Sequence, residues 1–98
     1  MNMQAMLKQA QKLQKDMMNA KNEIDNTIFE STKSFVTIKA KGNKKIESIK
    51  LNIESIEKDE IETVEDLILV TINELMEKID KETEEKMGKF SQGMPGLF

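Results

Sequence analysis

Residues 35–53 read FVTIKAKGNKKIESIKLNI, and this stretch decides the fold. Apolar and polar side chains alternate on both sides of Gly42 and Asn43, two residues that tolerate the backbone angles of a tight turn. Alternation with a period of two is typical of strands with one buried face, so the stretch predicts a β-hairpin. The positions predicted to face the core are Val36, Ile38, Ala40, Ile49, Leu51 and Ile53, with Ile46, Ser48 and Lys50 on the outer face.

A long helix is predicted before the hairpin, followed by a short strand. Residues 27–34 are rich in β-prone side chains and predict a strand at Ile28 and Phe29 and then a turn. Residues 2–26 contain no Gly or Pro, and their apolar side chains recur every seven residues, which indicates a helix with one packing seam. The seam consists of Met3, Ala10, Met17 and Ile24 together with Met6, Leu13 and Ala20.

A second long helix is predicted over residues 60–87. Asp59 and Glu62 have the spacing of a capping box, and a helical turn is expected just before them over residues 54–58. The apolar run 67–72 also fits a buried strand, but acidic sequence with helical period flanks it on both sides without a breaker, which favours a helix. The predicted core positions are Val64, Leu67, Ile68, Ile72, Leu75 and Ile79.

The second helix is apolar almost all round at residues 67–72, so one amphipathic helix and a small sheet hardly cover it. A second copy of the chain is the expected cover, and the sequence therefore predicts a homodimer. Residues 1–87 form the predicted domain. Residues 88–98 contain three Gly and one Pro and are expected to form a flexible tail, whose apolar side chains either dock or stay mobile: Phe90, Met94, Leu97 and Phe98.

The composition excludes several classes of active site. The 98 residues include no Cys and no His, so thiolate or imidazole catalysis and zinc sites built on these residues are absent. The clustered carboxylates Glu82, Glu84 and Glu85 fit a solvated helix face, and no glycine pattern for phosphate binding occurs. We therefore predict no enzyme activity, no metal, no cofactor and no small-molecule substrate.

The distribution of apolar residues argues against a membrane protein. No run approaches the roughly 18 apolar residues of a membrane span, and no signal peptide is recognisable at the N-terminus. The chain is therefore expected in the cytoplasm.

The charge is unevenly distributed along the chain. The formal net charge of −3 divides into +5 over residues 1–50 and −9 over residues 51–86, with Lys89 adding +1. All 15 basic residues are Lys, and Lys contacts phosphates, whereas bidentate reading of bases most often uses Arg. These lysines either are solvated surface charges or bind a polyanion such as a nucleic acid. The candidates are the helical stripe Lys8, Lys12 and Lys15 and the hairpin residues Lys39, Lys41, Lys44 and Lys45.

Short motifs in a characteristic order extend over nearly the whole chain. They are Asn2-Met3-Gln4, the run KQAQKLQ at residues 8–14, VTIKA at residues 36–40 before Gly42, DLIL at residues 66–69 before Asn73-Glu74, Met87-Gly88 and GMPG at residues 93–96. In these motifs the chain resembles the YbaB/EbfC family of bacterial nucleoid-associated proteins.

The resemblance implies a tweezer-like homodimer of α+β protomers, each with a three-stranded antiparallel sheet and long projecting helices. It also implies binding of duplex DNA with limited sequence preference, in the cytoplasm at the nucleoid, with a role in nucleoid organisation and gene regulation. The family's DNA surface on the projecting helices corresponds to the region of Lys8, Lys12 and Lys15. The alternative is a dimeric protein-interaction module that uses the N-terminal heptad helix and does not bind DNA.

Two departures from the family pattern concern packing. Residues 31–34 read STKS in place of a glycine-rich turn, so the geometry of that turn is open. Val70, Ile72 and Leu75 replace the small alanines typical of the last helix, which predicts different packing there.

Overall fold

The computed structural model describes residues 2–93, and the side-chain surroundings of residues 2–90. Helix α1 spans Met3–Asn26, strands β1, β2 and β3 span Ile28–Lys33, Val36–Lys41 and Ile46–Leu51, and helix α2 spans Ile61–Gly93. A single 3₁₀ turn at Lys58–Glu60 precedes α2. The strands form one antiparallel sheet in the order β1-β2-β3, which confirms the predicted α+β fold.

Helix α1 begins at a polar cap and packs through its seam, as predicted. The Oδ1 atom of Asn2 accepts a hydrogen bond from the backbone N–H of Gln4 at 2.9 Å, which satisfies one of the unpaired donors of the first turn. Ala20 and Ile24 are buried, whereas Leu13 and Met17 on the same seam are half-buried. The degree of burial therefore falls from the C-terminal end of α1 towards its N-terminal end.

The central strand β2 carries the core of the sheet. Val36, Ile38 and Ala40 have no exposed surface, which confirms the face predicted from their alternation. Strand β1 has six residues rather than the short segment predicted at Ile28 and Phe29, because it pairs with β2 along its whole length.

Left-handed backbone conformations occur at different turn residues from those expected. Between β1 and β2, Ser34 has φ 53°, so a serine takes the conformation that glycine favours. In the turn between β2 and β3, Lys44 has φ 71°, and Asn43 instead accepts a hydrogen bond from the Lys45 N–H at 2.9 Å. The Lys44 N–H donates to the Lys41 carbonyl at 2.8 Å, which closes this turn.

A register shift between Lys39 and Ala40 corrects the predicted faces of β3. Lys39 pairs with Ser48, but Ala40 pairs with Ile46, so Glu47 is an additional residue on β3. Ile46 consequently lies opposite a residue of the buried face, and its predicted outer position is wrong. A bulge of this kind changes the face without changing the sequence pattern.

The start of α2 also differs from the prediction. The helical turn lies at Lys58–Glu60 and not over residues 54–58, and the cap involves Glu57 and Glu60 rather than Asp59 and Glu62. The Glu57 N–H donates to Glu60 Oε1 at 3.3 Å, and the Glu60 N–H donates to the Glu57 carbonyl at 2.9 Å. The carboxylate of Glu60 thus turns back on the preceding backbone, and α2 begins at Ile61.

Helix α2 lies across β1 and β2 and closes the core. Leu75 and Ile79 are fully buried and pack with Val36 and Ile38, and Val64 is also buried. Of the other predicted core residues, Leu67, Ile68 and Ile72 are half-buried. The run 67–72 is helical, which confirms the choice between helix and strand.

The C-terminal end of α2 is longer than predicted. The helix passes through Gly88 and continues to Gly93, whereas a loop was expected from Gly88 onwards. Met87 and Phe90 pack with Ala20 of α1, and this contact outweighs the roughly 1 kcal/mol that a helical glycine costs. The rest of the expected flexible tail, residues 94–98, lies outside the described residues.

Candidate nucleic-acid interface

Helices α1 and α2 lie side by side and antiparallel, and their contact fixes which face of α1 is outermost. Lys86 Nζ is 2.8 Å from Glu23 Oε2, and Ala20 packs with Met87 and Phe90. The molecule is 71 × 19 × 14 Å, so the helix pair extends as an arm from the sheet. Because the seam of α1 faces α2, the opposite face of α1 is exposed.

Lys8, Lys12 and Lys15 lie on this exposed face of α1. Their spacing of four and three residues places them in one stripe that spans about 10 Å along the helix. All three are exposed, and none forms an ion pair within the part of the chain that the structure describes. The structure therefore brings these three predicted residues together in one exposed basic stripe.

The four hairpin lysines do not form one surface. Lys39 and Lys41 lie on the outer face of the sheet, on the side away from the buried residues of β2, and Lys41 Nζ is 3.4 Å from Glu47. Lys44 points instead towards α2, where its Nζ is 2.5 Å from Asp80. Lys45 is exposed beside the turn. Two of these four lysines are thus already paired with carboxylates.

The stripe and the hairpin lysines occupy separate parts of the molecule. α1 meets the sheet only at its C-terminal end, where the Gly42 N–H donates to the Thr27 carbonyl at 3.0 Å. Asp25 lies at this junction. Lys15 is ten residues before it on α1, about 15 Å away, and Lys8 is seventeen residues before it, about 25 Å away. The stripe and the hairpin lysines therefore lie at different levels along the molecule.

The structure adds Lys50 to the hairpin group. Lys50 pairs with Thr37, so its side chain shares the outer face with Lys39 and Lys41, and it is exposed. The alternation of β3 had placed it on that face, but it was absent from the candidate residues.

The ion pair between the helices lowers the pKa of Glu23. The hydrogen bond from Lys86 is the main cause, followed by the positive charge of Lys86, and a weaker contribution comes from Lys89. A carboxylate that accepts such a hydrogen bond is stabilised in its charged form. A charged contact therefore joins the two helices near the base of the arm, beside their apolar packing.

The described residues contain neither a metal-binding cluster nor a membrane-spanning helix. Among residues 2–93, no three His, Cys, Asp or Glu side chains lie close enough together to hold a metal ion. No helix in this part of the chain combines the length and the apolar content needed to cross a membrane.

Comparison with known proteins agrees with the family resemblance. Residues 1–94 match the model of the YbaB/EbfC DNA-binding family. A nucleoid-associated protein of Ligilactobacillus salivarius is 43% identical, with 99% of this chain and 95% of the relative covered. A nucleoid-associated protein of Clostridium perfringens is 44% identical, and the match covers 99% of this chain and 90% of the relative. Another, from Enterococcus faecalis, is 34% identical, and the match covers 98% of this chain and 94% of the relative. The chain belongs to the YbaB/EbfC DNA-binding family.

Proposed function

We propose that this protein is a non-enzymatic, nucleoid-associated protein that binds duplex DNA through contacts between the α1 stripe and phosphates. The observation that carries the proposal is the exposed stripe Lys8, Lys12 and Lys15, which forms no ion pair with residues 2–90, and membership of a DNA-binding family supports it. In the cell the protein would act at the nucleoid, in the cytoplasm, where binding along DNA contributes to nucleoid organisation and gene regulation.

The side chains of the stripe favour phosphates over bases as ligands. Lys presents a flexible point charge, whereas discrimination of bases in the major groove most often uses the planar fork of Arg, which this sequence lacks. Phosphate contacts fix the position of a protein on DNA but carry no sequence information. We therefore expect limited sequence preference and a strong dependence of affinity on salt.

The hairpin lysines contribute less to this interface. Lys41 and Lys44 must give up Glu47 and Asp80 before they bind a phosphate. Lys39, Lys45 and Lys50 are exposed and form no ion pair among the described residues. Lys39 and Lys50 on the outer face of the sheet, and Lys45 beside the turn, offer secondary contacts away from the arm.

A homodimer is part of the proposal, because the protomer leaves a large apolar surface open. α2 covers β1 and β2 but does not pack on β3, and Ile46 and Ile49 on the inner face of β3 are 39% and 48% exposed. Leu69 and Val70 of α2 are exposed as well. Contiguous apolar surface of this kind marks protein interfaces.

The open surfaces of α2 and β3 are neighbours. Leu69, Met76 and Asp80 share one flank of α2 by helical spacing, and Asp80 pairs with Lys44 in the turn that leads into β3. Leu69 therefore faces the uncovered side of β3. A second copy seated in this groove gives a dimer with two arms and two α1 stripes.

A salt titration of duplex DNA binding tests the function. Three phosphate contacts per protomer predict a slope of about −2.7 in log K against log salt, and about −5.4 if both arms of a dimer bind. The variant K8E/K12E should bind at least about ten-fold more weakly to all sequences and reduce the magnitude of the slope by about 2 for each arm. Fluorescence anisotropy with duplexes of different sequence measures both quantities.

The matched control is K58E/K81E. Lys58 and Lys81 are also exposed, they form no ion pair among the described residues, and both variants change the formal net charge from −3 to −7. We expect the control to bind nearly as the wild type does. No binding at about 50 mM salt would contradict the proposal and favour the protein-interaction module. Equal losses in both variants would show that net charge, and not the stripe, determines affinity.

A further inference from the structure

We propose that the segment of residues 94–98, Met-Pro-Gly-Leu-Phe, docks on the apolar tip of α1 in the same chain. The apolar tip is defined here as Met3, Met6 and Leu7, which are 83%, 49% and 59% exposed. Met6 continues the seam of Leu13 and Ala20 at intervals of seven residues, so the tip extends the face that packs on α2. The seam is buried at Ala20, half-buried at Leu13 and open at Met6.

The direction of α2 brings residues 94–98 to this tip. α2 runs antiparallel to α1 and Lys86 lies opposite Glu23, so Gly93, seven residues further along α2, lies level with Asp16. Asp16 and Leu13 line the same groove as Lys89 and Phe90, which agrees with this alignment. The chain therefore leaves the described part of α2 pointing along the seam towards Leu7 and Met6.

The length of the segment matches the distance it has to cover. Leu7 and Met6 lie nine and ten residues before Asp16 on α1. These separations correspond to distances of about 13.5 and 15 Å along the helix axis. Five extended residues span about 17 Å, whereas five helical residues advance only about 7.5 Å. Pro95 disfavours helical backbone at itself and at the residue before it, so the sequence favours the extended form, which reaches the tip.

The chemistry of the segment matches the tip as well. Met94, Leu97 and Phe98 are apolar and none of the five residues is charged. Methionine side chains adapt to irregular surfaces and make favourable contacts with aromatic rings, so Met3 and Met6 suit a phenylalanine. The lysine stripe lies on the opposite face of α1, so a docked segment leaves it accessible. Docking also supports the first turns of α1, which no other described residue packs against.

Disulfide trapping in the 98-residue chain tests the proposal, because this sequence has no Cys. The test variant is A10C/G96C, in which position 10 lies on the seam of α1. It keeps all three residues of the apolar tip and also Leu97 and Phe98, so the contacts of the proposed docking remain. Mild oxidation should join these cysteines within one chain, which a non-reducing gel shows as a species with the mobility of a monomer. The control K12C/G96C, with position 12 on the opposite face at nearly the same level, should react at least about ten-fold more slowly, because a disulfide requires Cα atoms within about 7 Å.

Other outcomes contradict the proposal. A disulfide between two chains in A10C/G96C would identify a second copy as the occupant of the tip. Equal rates in the two variants would indicate chance collisions without docking.

Hydrogen exchange gives an independent readout without cysteines. In L97S/F98S the amides of residues 6–10 should exchange faster than in the wild type, whereas those of residues 20–24, which pack on α2, should not change. Unchanged exchange at residues 6–10 would overturn the proposal.

Discussion

Gly42 shows how a single residue joins the sheet to the arm. A Cβ atom at this position would lie 1.8 Å from the carbonyl oxygen of Ile24, so the end of α1 rests directly on the glycine backbone. The contact is with backbone, which cannot rotate out of the way as a side chain can. The glycine is needed for close approach, not for a left-handed conformation, which in this turn is taken by Lys44.

Gly42→Ala should therefore lower the free energy of unfolding by about 1–3 kcal/mol, the usual cost of overpacking a close contact. Gly88 is the matched control, because a Cβ atom there meets nothing within 4 Å and the residue lies inside α2. Gly88→Ala should raise the free energy of unfolding by up to about 1 kcal/mol, since alanine is the better helix former. Urea denaturation at one fixed protein concentration measures both, and equal effects in the two variants would rule out the packing role of Gly42.

At the scale of elements, the pairing of α1 with α2 should depend on pH through Glu23. Its pKa is lowered in the folded protein by Lys86, so this contribution to stability is present above the ordinary pKa and is lost as pH falls through the folded pKa. Glu23→Gln should therefore be less stable than the wild type at about pH 7, and the difference should be smaller at about pH 3. Because the pair is exposed, the effect is small, and parallel urea titrations at the two pH values are required. A difference that is undiminished at low pH would show that the substitution acts through packing.

At the scale of the whole molecule, the open groove between α2 and β3 predicts the oligomeric state. Ile49 and Ile28 are strand isoleucines with 48% and 52% exposure, but Ile49 lies on the inner face of β3, whereas Ile28 lies on the outer face of β1. Ile49→Asp should convert a dimer into monomers at micromolar concentration, since it buries an unpaired charge in the interface, and Ile28→Asp should not. Light scattering with both variants distinguishes them. A monomeric wild type would contradict the two-armed architecture.

The elements that the sequence predicted correctly are those with long, uninterrupted patterns. The heptad seam of α1, the alternation of β2 and the apolar period of α2 each extend over many residues, so their signal is strong. The errors lie where one contact overrides a local pattern. Glu57 and Glu60 cap the 3₁₀ turn before α2 in place of Asp59 and Glu62, the bulge at Ala40 turns Ile46 inwards, and Phe90 packs α2 against α1 beyond Gly88.

The lysines of the candidate site also fall into two groups: those whose arrangement a local pattern predicts, and those whose arrangement depends on the tertiary structure. Helical spacing alone places Lys8, Lys12 and Lys15 on one stripe, because the period of an α-helix is fixed by its backbone. No pattern in the sequence shows that Lys44 is paired with Asp80, 36 residues away, or that Lys41 is paired with Glu47 across a turn. Lys50 could have been included from its alternation with Ile49 and Leu51.

By itself the sequence determined the α+β class, the two helices, the hairpin, the lysine stripe and the family, because these depend on local period, composition and motif order. Only the tertiary structure decided which lysines pair with carboxylates, that α2 leaves β3 uncovered, and that the tip of α1 lies beyond the described end of α2. These features depend on contacts between residues far apart in the chain, and local periodicity carries no information about such contacts.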